Sequence, residues 1–151
     1  MTSTARPGRL PGIDPRGPRF AASVTSVVLA VALITGLWQV LALQALVFAI
    51  ASVLGVRRSP YGYLFRRFVQ PRLSPPAELE DPAPVRFAQA VGLLVTGLGL
   101  VLAAFGVPAA VEVFSALALL AAVLNAAIGL CLGCELYLRL GLARRFSRTS
   151  A

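Results

Sequence analysis

Histidine is absent from this 151-residue chain, acids number six, cysteines number two, and charged residues make up only 13% of the whole. Without an imidazole there is no Ser-His or Cys-His nucleophile pair and no histidine ligand for a metal. Two thiolates alone do not close a zinc site. No phosphate-binding glycine loop and no paired catalytic acids occur either, so the usual forms of soluble enzyme are not expected. The sequence gives no reason to expect a cofactor or a metal.

What fills the chain is apolar: 58% of residues are hydrophobic, and the mean hydropathy is +0.81. A soluble domain of this size must cover its core with polar residues, and too few are present. The apolar residues gather in four runs, 20–38, 40–56, 87–105 and 109–132, with almost no charge inside them. Roughly 20 helical residues cross the hydrocarbon of a bilayer. The expected fold is an all-α membrane protein with four transmembrane helices. Ala21 to Val56 forms one stretch of 36 residues, too long for a single span, so a break is placed near Thr35, Gly36 and Gln39. Pro108, preceded by Gly106, marks the second tight turn.

Arginine sets the expected orientation, because cytoplasmic flanks of membrane helices are enriched in positive charge. Arg6, Arg9, Arg16 and Arg19 lie in or beside segment 1–19; Arg57, Arg58, Arg66, Arg67, Arg72 and Arg86 occupy 57–86; Arg139, Arg144, Arg145 and Arg148 fall in 139–151. The two short turns carry none. Four spans place all three basic segments, and both termini, on the cytoplasmic side. The net charge of +8 is therefore read as an orientation signal and a contact with anionic lipid, with no nucleic acid as partner.

Tyr61 to Val69 interleaves aromatic and basic residues as an interfacial helix does. Pro71 to Pro84 holds five prolines with Glu78, Glu80 and Asp81, the composition of an extended linker. An internal repeat is also visible. Asp14-Pro15, Arg19-Phe20-Ala21 and Val24 recur as Asp81-Pro82, Arg86-Phe87-Ala88 and Val91, at an offset of 67. Each half is then a helix pair, and two spans per half make the repeats parallel about an axis along the membrane normal. The second helices align at an offset of 74, which pairs Gly55 with Gly129 and sets Cys131 against Arg57 and Cys134 against Pro60.

The one chemical motif is Cys131-Leu132-Gly133-Cys134. Two cysteines placed at random in such a chain fall three apart in roughly 1% of arrangements. On one helix, this spacing is compatible with a disulfide, a persulfide or two legs of a metal site; simple packing is the alternative. If run 109–132 is a single helix, the pair sits at its negative end, unlike a thiol activated at a helix N-terminus, unless Gly129 and Gly133 break the helix. Arg19 and Arg86 are candidate partners for a thiolate, Asn125 is a polar group within the membrane, and Glu135 is the nearest acid.

The tract Asn125 to Tyr137, with Ile13-Asp14-Pro15-Arg16 and the stretch Asp81 to Ala88, resembles domain of unknown function 4395, a family of small bacterial membrane proteins. The resemblance implies a bacterial inner-membrane location and, through thioredoxin-like or rhodanese-like soluble partners, thiol-disulfide or sulfane-sulfur handling by Cys131 and Cys134. Two other classes remain. A transporter of a small sulfur species would use Gln44, Gln89 and Asn125 to line its path. A membrane anchor or assembly partner would use Gly92, Gly97, Gly99 and Ala103 for helix packing.

Overall fold

The computed structural model describes residues 12–149, with side chains described as far as Gly141. Arg6 and Arg9 lie outside the described residues, as do the side chains of Arg144, Arg145 and Arg148. The described chain is helical and contains no strand beyond one isolated bridge between Ile13 and Glu80. Its helices are α1 (Arg16–Thr35), α2 (Trp38–Val53), α3 (Pro60–Leu64), α4 (Pro82–Ala104), α5 (Ala110–Ile128) and α6 (Leu132–Thr149). Helices α1, α4 and α5 are long and apolar enough to cross a membrane, and α2 is a shorter apolar helix of 16 residues.

Helix ends follow local chemistry. The break after α1 falls at Gly36, in the left-handed conformation, whose N–H donates to Ala32 O. Pro82 opens α4 at its first position, and the Asp81 carboxylate caps it by accepting from Ala83 N–H at 2.9 Å. The helix therefore starts five residues before the apolar run at 87, and two linker prolines belong to it. The run 109–132 is not one helix: α5 ends at Ile128, and Gly129, at φ +73°, turns the chain into α6. Segment 139–151, read as a basic tail, continues α6 as far as Thr149.

Between α2 and α4 the chain makes a tight turn at Val56–Arg58, then α3, then a wide turn at Phe65–Val69. The linker is tied down rather than free. Ile13 and Glu80 exchange two backbone hydrogen bonds of 2.9 Å, and Arg16 Nη2 donates to Ser74 O at 2.8 Å. Arg16 also grips Asp14 through both carboxylate oxygens at 3.0 Å. Its guanidinium, chiefly through the side-chain hydrogen bond, holds the Asp14 carboxyl below the usual carboxylate range.

Packing sets α1 along α5 and α2 along α4. Leu29, Ala32, Leu41, Val111, Ala118 and Ala122 form the centre. Small residues admit close approach where Gly92 meets the Phe48 ring and Gly99 meets Phe114, whereas Gly97 faces open space. The distribution of polarity is inverted relative to a soluble bundle. Gln44, Thr96 and Ser115 are fully buried, while Ile34, Leu94 and Val53 on the outside are 82%, 72% and 71% exposed.

Candidate functional site

The turn at Gly129 places the two cysteines at the positive end of a helix. Cys131 precedes α6 and Cys134 is its third residue. The Cys131 carbonyl accepts from Glu135 N–H at 2.9 Å, and its Sγ accepts from Cys134 N–H at 3.3 Å. Cys131 thus occupies the N-cap, where a side-chain acceptor satisfies one of the free backbone donors. The placement at a negative end, expected from one continuous helix over 109–132, is corrected by that break. An apolar run shows no periodicity across Leu130, so hydropathy alone conceals it.

The cysteines are joined in a disulfide, with Cα atoms 5.2 Å apart. Both are half-buried. Cys134 packs on the cluster of Ile13, Val56 and Val85, so the lead-in, the turn after α2 and the start of α4 all converge on it. Gly133, between them, lies directly on α4: a β-carbon there would stand 2.6 Å from Ala88 Cα. The motif Cys-Leu-Gly-Cys needs glycine at this position because α6 begins against the backbone of its neighbour.

A surface cleft of about 570 Å³ opens at this point. Arg19, Asn125, Cys131, Cys134 and Glu135 all line it, with Glu80 and Asp81 on its other wall. Five of the six residues singled out from the sequence are therefore brought together. Arg86 is the exception. It donates from Nε and Nη2 to Ser52 O and from Nη2 to Val53 O, at 2.9–3.2 Å, on the carboxyl end of α2. Arg19 stands in the matching place on α5, donating to Ala127 O at 3.4 Å and lying against Gly129. Both arginines meet the negative end of a neighbouring helix, and only Arg19 also lines the thiol cleft. Glu135 sits in the first turn of α6, favourable for an acid, and pairs with Arg139 at 3.1 Å on an exposed surface.

Two features escaped sequence reasoning. A second cleft of about 220 Å³ adjoins the first, sharing Pro18, Val85, Asn125 and Cys131, and is lined by α1, α2, α4, α5 and the start of α6. A hydrogen-bonded chain ends at its wall: Tyr61 O–H donates to Gln44 Oε1 at 2.8 Å, and Gln44 Nε2 donates to Thr25 Oγ1 at 3.4 Å. Burial pushes the Tyr61 phenol upward from its ordinary value. Of the residues proposed to line a transport path, Gln89 and Asn125 border this cleft, and Gln44 is buried within the chain of hydrogen bonds.

The turn after α2 reproduces the cysteine turn in polar form. Ser59 Oγ caps α3 by accepting from Gly62 N–H at 3.1 Å, as Cys131 Sγ accepts from Cys134 N–H. Phe65 stacks on Phe20, as Tyr137 stacks on Phe87, with ring centroids 5.8 and 5.6 Å apart. In these contacts Cys131 corresponds to Ser59 and Cys134 to Gly62, a spacing of 72, while the positive-φ glycines that precede the two turns, Gly55 and Gly129, are 74 apart.

No curated protein and no solved structure matches this chain. Residues 13–141, from the buried lead-in through the cysteine turn and into α6, match the family described as Domain of unknown function (DUF4395), and the chain belongs to that family.

Proposed function

We propose that this is a four-span inner-membrane protein whose Cys131–Cys134 pair exchanges disulfides with a soluble, thioredoxin-like protein on the cytoplasmic side. The observation that carries the reading is the disulfide capping the N-terminus of α6 at an open cleft. A helix N-terminus stabilises a thiolate, which is what a reactive cysteine requires.

Membrane insertion is supported by the exposed apolar exterior and by the three long apolar helices. Helix α2 with its flanking Leu37 and Leu54 covers about 27 Å, close to the roughly 30 Å of a bilayer core. The described arginines at Arg16, Arg19, Arg57, Arg58, Arg66, Arg67, Arg72 and Arg86 gather at the end that carries the cysteines. The opposite turns carry none, and Trp38 there is 57% exposed, as an interfacial anchor is. The reading of two helix-pair repeats about an axis along the membrane normal is supported by the reciprocal packing of α1 on α5 and α2 on α4.

In the exchange, a partner thiolate attacks Cys131 Sγ, the S–S bond breaks, and the electron pair leaves on Cys134. The partner's second thiol then attacks the mixed disulfide. One disulfide forms in the partner, and Cys131 and Cys134 are left as a dithiol. Both sulfurs line the cleft; Cys131 is the exchanging one because it stands at the cap position, and Cys134 is the leaving one because it packs on Ile13, Val56 and Val85.

The test is alkylation in intact cells with permeant and impermeant reagents, before and after reduction. Labelling by the permeant reagent alone, and only after reduction, is expected. Labelling from outside would reverse the topology. In purified protein the reduced Cys131 thiol should be alkylated at neutral pH faster than a free cysteine, and a rate no faster would remove the thiolate argument. A gain of one sulfur atom by mass on incubation with a persulfide donor would move the reading to sulfur transfer.

A further inference from the structure

We infer that the inner cleft takes the ring of a membrane-soluble quinone, which accepts the electrons of the Cys131–Cys134 dithiol; this rests on the disulfide-exchange reading above. Cys131 lines both clefts, so one sulfur faces a water-side entrance and an apolar interior. A dithiol formed at the first must be reoxidised before another exchange, and the second offers an oxidant a separate route.

The lining states what that oxidant is. Among the described residues no charged side chain borders the inner cleft; its polar groups are Thr25, Gln89 and Asn125 among apolar neighbours such as Phe48 and Leu117. Neutral amide and hydroxyl donors suit a neutral ligand with carbonyl acceptors. Thr25 is 5% exposed, and Gln44 Nε2 donates to its oxygen. Its own O–H is thereby left to donate, and the wall of the cleft is where an acceptor would stand. Gln44 is a positioning residue here, held in turn by Tyr61. At about 220 Å³ the cleft is smaller than the roughly 300–1,000 Å³ that encloses a drug-sized molecule, so it holds a ring and leaves a tail outside. Leu117 and Leu132 on its rim are 54% and 45% exposed, facing the acyl chains in the membrane reading.

The step balances without another reactant. Two S–H bonds break and one S–S bond forms. Two electrons and two protons pass to the ring carbonyls, giving the quinol.

The full-length protein in lipid nanodiscs is reduced, freed of reductant and mixed with a short-tailed benzoquinone whose ring is fully substituted, so that no thioether adduct forms. Thiols and quinol absorbance are followed together, with diamide as a water-soluble oxidant in a parallel arm. One quinone reduced per two thiols lost is expected. Thr25→Val and Gln89→Leu should slow the quinone arm at least tenfold and leave the diamide arm unchanged. Ala121→Phe, which fills the cleft from α5, should do the same. Dithiol that reacts with diamide but not with quinone overturns the inference and leaves disulfide exchange standing, as does an isosteric Thr25→Val that reacts with quinone at the wild-type rate. Dithiol inert to both removes the disulfide-exchange reading itself.

Discussion

The turn after α2 and the turn after α5 are built alike and equipped differently. Each follows a glycine at positive φ, Gly55 and Gly129. Each caps the next helix with a side chain that accepts from the backbone N–H three residues on, and each sets an aromatic ring against the first helix of its own half. In one the cap is Ser59 and the third residue is Gly62, where an added β-carbon would run into Val56 O. In the other both positions are cysteine, and the crowding has moved to Gly133 against Ala88. The difference teaches that the scaffold needs only the cap. The second sulfur fits because the steric constraint falls between the cysteines rather than on one of them.

The largest effect that would break the comparison is loss of chemistry without loss of fold. Cys131→Ser keeps an N-cap acceptor, so disulfide exchange should vanish while thermal stability falls only by what the disulfide contributed. Cys134→Ser, mixed with the oxidised partner, should instead trap a mixed disulfide, formed as the free Cys131 thiolate breaks the partner's S–S bond and seen as an adduct on a non-reducing gel; the opposite assignment of roles would trap it on Cys131→Ser. Next is Gly133→Ala. Its β-carbon meets Ala88 Cα at 2.6 Å, and overpacking of this kind costs about 1–3 kcal/mol, measured as a lower Tm together with slower exchange.

Ser59→Ala sharpens the comparison from the other side. Loss of that cap should cost about 1 kcal/mol in thermal stability and leave the exchange rate unchanged, showing that this turn is scaffold alone. The smallest effect is at the lead-in. Because Arg16 lowers the Asp14 carboxyl below 3.8, this contact stabilises the fold above that pH, and the contribution is lost as pH falls through the lower folded value. Asp14→Asn should flatten stability against pH in that acidic window, as read by thermal melts. A wild-type curve already flat there would remove the contact from the account.

Much of this was legible in the sequence. Gly36 and Pro108 break the apolar runs where polar or conformationally special residues interrupt them, and the Asp-Pro lead-ins mark helix starts. The boundary at Gly129 was legible only as an alternative carried by the glycine, because Leu130, Cys131 and Leu132 continue the hydrophobicity straight through a change of direction. The site was legible as far as Cys131, Cys134, Arg19, Asn125 and Glu135, since a rare spacing and rare polar residues are visible one by one. Arg86 instead meets Ser52 O and Val53 O at the end of α2, because equivalent positions in two sequence segments do not say which helix end an arginine meets. The Tyr61–Gln44–Thr25 chain joins residues 17 and 19 positions apart on three helices, and no local period links them.

The contact of Gly133 with Ala88 also gives α6 a fulcrum. The helix has 18 residues, about 27 Å, and it is seated on α4 at that one close approach and at the Phe87–Tyr137 stack, both in its first two turns. A tilt of about 10° at the seat carries the far end about 5 Å over that length. The cysteine turn is therefore the anchored end of α6, and a change of shape at the cap bears directly on its seat against Ala88.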